Sequence, residues 1–336
     1  MKRGCGGRSG VWSISVGIGK RMKSKSIVSS RVTGQIPLLT LIVLCGVTAL
    51  LTDRFLSPLN LNNILVQSSI MAVIAMGMTF VIIGGGFDLS VGSTAALSGC
   101  VASMAILEAG IAAGVLAGIL AGAAVGLVNG VIIAYLKVNP FITTLGTMVL
   151  VRGVVFLITG GAPVEGPEGL PSAFVAFGSS RFLGIHALVW IPIILVIVLS
   201  WVMHATPYGR QIYATGGGRE AAYLSGVPVA RVIASTYVWC GALAGVAGVM
   251  LAARLQSGQP TAGEFYELTA IAAVVLGGAS LHGGEGTLYK SVIGVFIMVI
   301  LGNSLNLLNV DSYWQRVAVG AVIIAAAAAD SLRSRR

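Results

Sequence analysis

The run IAAGVLAGILAGAAVGLVNGVIIAYL, residues 111–136, contains no charged residue and carries a glycine at every fourth position over most of its length. A helix that crosses a membrane needs about 20 mainly apolar residues, and this run meets that requirement. Its five regularly spaced glycines are Gly114, Gly118, Gly122, Gly126 and Gly130. Residues four apart share one helix face. The run therefore predicts a membrane helix with a glycine groove into which a neighbouring backbone packs closely.

The composition of the whole chain agrees with this interpretation. Its 336 residues are 56% hydrophobic and 10% charged, with a mean hydropathy of +0.93. Soluble domains carry about 25% charged residues, so this chain lacks the polar surface of a soluble globule. Soluble enzymes, disordered tails and disulfide-rich secreted scaffolds are excluded on these grounds. The predicted class is an all-α polytopic membrane protein.

Ten apolar runs supply about ten transmembrane segments, some of them short or broken. The runs are 36–51, 64–83, 91–107, 111–136, 141–159, 187–203, 232–252, 268–280, 288–308 and 317–330. The shortest, 268–280, is expected to be a broken or re-entrant element, which is tolerated at membrane depth only inside protein or beside an aqueous cavity.

The distribution of basic residues predicts the orientation. With both termini in the cytoplasm and ten alternating spans, 16 of the 21 Lys and Arg residues lie inside, four lie outside, and Arg152 lies within a span. Such a bias is typical of the positive-inside rule. The net charge of +10 is therefore explained by basic residues that set the orientation of the helices and contact anionic lipid headgroups. No nucleic-acid partner is expected.

The predicted organisation has three parts. Residues 1–35 form a basic cytoplasmic segment rich in glycine and serine, or translation begins instead at Met22. No compact apolar core with a cleavage site follows these bases, so a signal peptide is not expected. Residues 36–330 form the transmembrane domain, with a cytoplasmic loop at 204–231, and residues 331–336 form a basic tail.

Motifs for catalysis, metals or nucleotides are missing from the sequence. The cysteines and histidines are too widely spaced for a metal or redox motif. The pattern around Lys20 fails the phosphate-loop consensus, and the glycines at 216 and 218 lack a strand–helix setting. No catalytic residue, metal or bound cofactor is therefore predicted.

Two ionisable residues stand out within the membrane region. Asp88 follows a glycine triplet, and Arg152 is expected to extend its side chain to the outer interface. A chain of buried acids, as proton-driven pumps use, is absent, so the energy source is expected on another subunit.

The loop 204–231 contains residues that are typical of the boundaries of a short helix, and this helix is expected at the cytoplasmic surface. The run from Arg219 to Ser225 is expected to be helical, to end at Gly226 and to be followed by the helix-blocking Pro228. Ala221 and Ala222 offer a low-relief face against which an external partner can push.

Four motifs then resemble one family. They are YATGGGREAAYLSGVPVARV (213–232), GMTFVIIGGGFDLSVGS (77–93), TLGTMVLVRG (144–153) and LGGASLHGGEGT (276–287). Together they resemble permease subunits of bacterial ABC importers in the branch that serves ribose and other simple sugars, over most of the chain from about residue 60 to 290.

The resemblance implies a multi-part importer in the bacterial inner membrane that works by alternating access. Its other parts are an ATPase subunit that binds ATP and Mg, an extracytoplasmic sugar-binding protein, and a second permease chain, identical or related. Contacts with the ATPase are assigned to Arg210, Gly216, Gly217, Arg219, Glu220, Ala221, Ala222, Ser225 and Gly226. Hinge or gate roles are assigned to Gly84, Gly85, Gly86, Asp88, Ser90, Gly92, Gly283 and Gly284.

Several alternatives remain open at this point. The cargo is a monosaccharide, or instead a furanosyl signalling compound or a nucleoside. A secondary transporter without an ATPase has the same bundle, but is expected to carry buried ionisable residues. An intramembrane enzyme requires a convergent nucleophile, base or metal set, which is not visible. The glycine-rich breaks have simple helix capping as their alternative role.

Overall fold

The computed structural model describes residues 35–334, so the N-terminal segment 1–35 with Met22, apart from Gln35, lies outside the described residues. The described part of the chain forms thirteen helices and one hairpin. The helices are α1 (Ile36–Leu51), α2 (Pro58–Ile83), α3 (Val91–Ala109), α4 (Ile111–Ala134), α5 (Pro140–Thr159), α6 (Ser172–Ser179), α7 (Ala187–Ala205), α8 (Pro207–Gly217), α9 (Arg219–Leu224), α10 (Val229–Leu255), α11 (Tyr266–Leu276), α12 (Leu288–Leu307) and α13 (Ser312–Ser334). The hairpin strands are β1 (Arg181–Phe182) and β2 (Ile185–His186).

The predicted all-helical membrane architecture is confirmed in its class. Eight helices (α2, α3, α4, α5, α7, α10, α12 and α13) are long and apolar enough to cross a membrane. Helices α1 and α11 are apolar but shorter, and the predicted short element at 268–280 corresponds to the 11-residue helix α11. Each of the ten apolar runs coincides with one of these helices.

Helix α2 is the central element of the bundle. Nearly all of its residues from Ser68 onward are buried, and it packs against α7, α10, α11 and α12. Pro58 occupies its first turn, and the Ser57 side chain accepts a hydrogen bond from the backbone N–H of Asn60. Both features are typical helix-start signals, so the long central helix begins at a position set by local sequence.

The predicted glycine groove of α4 is confirmed. All five of its glycines are buried, and they face α3 and α10. A β-carbon at Gly122 or Gly126 would collide with the backbone oxygen of Gly241 or Tyr237 on α10. The absence of side chains therefore allows α4 and α10 to pack backbone against backbone.

The connections gather at two ends of the bundle. The end that carries β1, β2 and α6 is called the hairpin end here, and the end that carries α8 and α9 is called the α9 end. At the hairpin end, Val164 and Gly258 form an isolated antiparallel bridge, and Gly178 of α6 lies against the backbone of Ala253 in the last turn of α10. The hairpin connects α6 to α7.

The segment 204–231 contains two helices where the sequence analysis places one. The predicted short helix is confirmed as α9, and it is followed by Gly226 with φ 83°. Residues 207–217, treated as loop in the sequence analysis, form α8 instead. Thr206 caps this helix by accepting from the N–H of Gly209, and Pro207 is its first residue.

At the C-terminal end of the described residues, α13 continues to Ser334, past the end of the last apolar run.

Candidate functional site

Three glycine segments that are far apart in sequence meet at the α9 end of the bundle. They are residues 84–86, 216–217 and 283–284, and they are called the glycine junction here. The N–H of Gly284 donates to the carbonyl of Ile83 at 2.8 Å. A β-carbon on Gly216 would collide with that same carbonyl and lie 2.6 Å from the nitrogen of Gly284. The three backbones therefore touch directly, with no side chain between them.

The junction also depends on the backbone freedom of glycine. Gly85 has φ 77° and Gly283 has φ 86°, in the left-handed region where side chains with a β-carbon are strained. The nitrogen and Cα of Gly85 lie about 3 Å from the position of a β-carbon on Gly283. Both steric space and backbone conformation thus require glycine here.

Two side chains of the α8–α9 segment bind the flanks of this junction. The Arg219 guanidinium donates from Nη2 to the carbonyl of Gly85 at 3.0 Å. The Tyr213 hydroxyl donates to the carbonyl of Gly286 at 2.8 Å, and burial raises the pKa of this phenol. The α8–α9 segment is therefore hydrogen-bonded to both glycine-rich breaks, an arrangement that the sequence motifs alone did not indicate.

The exposed surface of α9 differs from the predicted docking face. Arg210, Glu220, Ala221, Ser225 and Gly226 are exposed as a docking role requires. Ala222, however, is buried, so the prediction that it contributes to the docking face is wrong.

Two large exposed side chains of α9 escaped the sequence analysis. Tyr223 and Leu224 are 71% and 79% exposed. The sequence shows two large, mainly apolar residues in a short surface helix, and this could have indicated a docking role. Which side of the helix they occupy depends on how the helix is rotated against the bundle, and the sequence does not show that rotation.

Asp88 lies buried in the break between α2 and α3 and holds the start of α3. Its Oδ1 accepts from the backbone N–H of Ser90 at 2.9 Å and from the Ser90 hydroxyl at 2.6 Å. Asn129 of α4 donates to the same hydroxyl, and Thr147 of α5 donates to Asn129. Tyr237 of α10 donates to the carbonyl of Phe87. The break is thus tied to three surrounding helices, and Asp88 fixes the position of Ser90, the residue directly before α3.

Gly92, which is also predicted as a hinge residue, lies outside the glycine junction. It lies in the first turn of α3, and a β-carbon there would collide with the carbonyl of Gly263 and lie 2.7 Å from Glu267 Oε2. Its partner is therefore the segment between α10 and α11 and not the glycine junction.

Arg152 of α5 binds the segment between α10 and α11, and the expectation that its side chain extends to the outer interface stays a prediction. Its Nη1 donates to the carbonyls of Pro260 and Ala262 at 2.6 and 2.8 Å. The segment between α10 and α11 is non-helical, and its carbonyl groups need donors that a helix would have supplied. Arg152 supplies them.

Within residues 35–334, no group of three or more His, Cys, Asp or Glu residues is arranged to hold a metal ion.

Comparison with known proteins gives a consistent result over most of the chain. The family described as "Branched-chain amino acid transport system / permease component" matches residues 60–327. The chain is 47% identical over 300 residues to the ribose import permease protein RbsC of Bacillus subtilis (strain 168), which covers 89% of this chain and 92% of that protein. It is 45% identical over 296 residues to RbsC of Escherichia coli (strain K12), with 88% and 92% covered.

A relative with a different cargo in its name is the L-arabinose transport system permease protein AraH of Escherichia coli (strain K12). It is 38% identical over 288 residues, with 85% of this chain and 87% of that protein covered. No solved structure matches the chain.

Proposed function

Because this chain belongs to the family of permease components of branched-chain amino acid transport systems, we propose that it is the membrane-spanning subunit of an ABC importer for a ribose-type monosaccharide. The chain is a transport subunit of the bacterial inner membrane and not an enzyme, as the sequence analysis predicts, since its relatives over almost the whole length are import and transport permeases. The proposal for a sugar cargo rests on the names of these relatives, of which ribose permeases share the highest identity with the chain.

One observation carries the coupling mechanism: the α8–α9 segment is hydrogen-bonded to both glycine-rich breaks. In the proposed mechanism an ATPase subunit docks on the exposed face of α9, including Tyr223 and Leu224. Closure of the ATPase pair moves α9, and Arg219 and Tyr213 pass that movement to residues 84–86 and 283–286. The helices of the bundle move as rigid bodies about these few breaks, and the transport pathway then opens alternately to one side of the membrane and to the other.

Support for the mobile role comes from the kind of contact at the junction. Backbone contacts between glycines include no interlocking side chains, so a small displacement does not require side-chain repacking. Asp88, Ser90 and the junction glycines are proposed as hinge residues, with Asp88 fixing the start of α3 on one side of the hinge.

The remaining partners follow from this assignment. ATP and Mg belong to the ATPase subunit, and this chain binds no cofactor of its own in the proposal. A sugar-binding protein outside the membrane delivers the cargo at the hairpin end. With the α9 end in the cytoplasm, Lys137, Arg210, Arg231 and Lys290 lie on the side of the ATPase and the anionic inner leaflet.

A second permease chain is proposed to pack on α5 and α13. These two helices have the smallest buried shares among the eight candidate spans. Gly146 and Gly153 of α5 and Gly320 of α13 meet nothing within 4 Å, unlike the filled glycine groove of α4. Small residues on an open face allow close approach of another helix in lipid.

The first experiment is extraction of the tagged chain from its native membranes in mild detergent, followed by mass spectrometry of the proteins that accompany it. An ABC ATPase is the expected companion, and a binding protein found with it can be screened against ribose, other sugars and nucleosides. Recovery of the chain alone, also after crosslinking, would favour a secondary transporter and contradict the proposal.

The coupling role is tested by the double substitution Glu220→Ala with Gly226→Ala in the reconstituted importer. Glu220 is exposed on α9, and Gly226 has the positive φ that ends it. We expect normal insertion, but sugar-dependent ATP hydrolysis reduced at least tenfold. The matched control is Glu168→Ala with Gly169→Ala, an exposed glutamate beside a glycine of φ 80° at the hairpin end. Full coupling in the Glu220 and Gly226 variant would reject the assignment.

A further inference from the structure

A polar cavity of about 260 Å³ opens at the hairpin end, away from the glycine junction. Its polar lining comes from Asn62, Asn63, Ser179, Arg181, His186 and Arg254. These residues come from α2, from α6, from the hairpin and from the last turn of α10. None of them takes part in the proposed coupling mechanism.

The cavity lies at the level where three candidate membrane spans begin or end. His186 is the N-cap of α7, Asn62 lies in the second turn of α2, and Arg254 lies in the last turn of α10. These three helices are among the eight that can cross a membrane. Residues at the ends of such helices lie at the depth of the lipid headgroups.

The cavity also carries two arginines that form no close contact with a carboxylate. Among residues 35–334, neither Arg181 nor Arg254 has a carboxylate oxygen within 4 Å. Burial, with Arg254 and Arg181 nearby, lowers the pKa of His186. The Nδ1 of this ring accepts from the N–H of Leu188, so its Nε2–H remains available as a donor. The cavity thus offers donors, and its natural complement is an anion.

The hairpin that borders the cavity has two chemically different sides. Arg181 pairs with His186 across the strands, and Phe182 pairs with Ile185. Cross-strand pairs alternate between the two sides of a hairpin, so the basic pair and the apolar pair lie on opposite sides. Phe182 is 62% exposed and Leu183, at the tip, is 76% exposed. An exposed apolar tip therefore stands directly beside a basic cavity.

Trp190 strengthens the resemblance to an interfacial site. Its indole N–H donates to the carbonyl of Phe182 at 3.3 Å, and the two rings meet edge to face at 5.9 Å between centroids. Tryptophan in the first turn of a membrane helix is typical of the headgroup region, where its apolar ring and its N–H both find partners.

We propose that this cavity binds the headgroup of an anionic phospholipid, with the hairpin tip in the adjoining acyl region. The guanidinium groups of Arg181 and Arg254 bind the phosphate, because planar forked donors suit phosphate oxygens. Asn62, Asn63, Ser179 and the Nε2–H of His186 bind the hydroxyls of a polyol headgroup. Phe182 and Leu183 contact the first methylenes of the acyl chains.

The test uses the detergent-solubilised full chain and native mass spectrometry with added phosphatidylglycerol or phosphatidylcholine. We expect phosphatidylglycerol to bind at least tenfold more tightly to the unaltered chain. The double substitution Arg181→Gln with Arg254→Gln is expected to abolish that preference. Arg54→Gln, which removes an exposed arginine outside the cavity, is the control and should preserve it. Equal retention of both lipids by the unaltered chain would overturn the proposal.

Two further experiments complete the test. One distinguishes a lipid phosphate from a free phosphate, and the other uses a variant that is not expected to misfold. Leu183→Asn alters only the exposed tip, and asparagine tolerates its φ of 54°. We expect this variant to bind phosphatidylglycerol several-fold more weakly. Displacement of the lipid by an equal concentration of soluble glycerol phosphate would identify a free-phosphate site and refute the lipid assignment. An unchanged lipid preference in the double variant, with docking of an acidic binding protein lost, would also refute it.

Discussion

Gly216 and Gly217 are neighbours near the end of α8 with opposite surroundings. A β-carbon on Gly216 would collide with the Ile83 carbonyl, whereas one on Gly217 would meet nothing within 4 Å. The neighbours of Gly216 are backbone atoms that cannot rotate away. We therefore expect Gly216→Ala to lower sugar uptake at least tenfold and Gly217→Ala, which leaves the backbone contact at the junction intact, to lower it much less.

Uptake into vesicles that contain equal amounts of each variant provides the measurement. Because the two substitutions add the same methyl group to adjacent helical positions, a difference in helix propensity does not explain a difference in uptake. Equal activity of both variants would show that the contact at the junction is not needed for transport.

Asp88 gives a graded prediction at the same scale. Asp88→Ala leaves the N–H and hydroxyl of Ser90 without their acceptor, and an unpaired buried donor costs about 1–3 kcal/mol. Asp88→Asn retains an oxygen that can accept both bonds, but an amide replaces the carboxyl group beside it. We expect uptake and thermal stability to fall modestly for asparagine and strongly for alanine. Undiminished uptake in both variants would contradict the hinge role.

At the scale of elements, the packing of α4 on α10 predicts sensitivity to a single methyl group. Gly122 faces the backbone of Gly241 and Gly245, so Gly122→Ala forces the two helices apart. Overpacking of this kind costs about 1–3 kcal/mol. Thermal unfolding in detergent is expected to shift downward by several degrees.

Gly302→Ala in α12 is the matched control, because that glycine also lies inside a candidate membrane span and meets nothing within 4 Å. Its unfolding midpoint should remain unchanged or rise, since alanine has the higher helix propensity. Equal midpoints for the two variants would mean that α4 and α10 are free to separate without loss of stability.

The elements that were predictable from the sequence are those specified by neighbouring residues. The groove of α4 follows from the spacing of its glycines, and α9 follows from Gly226 and Pro228 at its end. Helix α8 was missed although Thr206 and Pro207 form a standard start signal. The polar run after them ends in glycines and has the composition of a loop, which hides the helix between these signals.

Contacts between segments that are distant in the chain could not be predicted from the sequence. The bond from Gly284 to Ile83 and the collision point at Gly216 depend on how three helices are placed in space. The carbonyl partners of Arg152 were not predictable for the same reason, because they lie about 110 residues further along the chain. Local patterns indicated that the glycine motifs matter, but not that they meet.

For the molecule as a whole, the orientation in the membrane remains a prediction. The excess of basic residues on the α9 side predicts a cytoplasmic location for that end and for the C-terminus. An alkaline phosphatase fusion after Gly169, in an exposed turn of the hairpin end, should be active. The same reporter after residue 336 should be inactive and a fluorescent protein there should fluoresce. The reverse pattern would invert the proposed faces.

The bond between Ile83 and Gly284 also has a consequence for biosynthesis. The two residues are separated by roughly 200 positions, so at about 5–20 residues per second the carbonyl of Ile83 waits roughly 10–40 s for its partner to be translated. During that interval α3, α4, α5, α7 and α10 leave the ribosome and enter the membrane beside an unfinished break. The glycine junction consequently forms late in synthesis. A nascent chain that ends between residues 130 and 284 carries every glycine of the α4 groove but lacks the bond to Ile83.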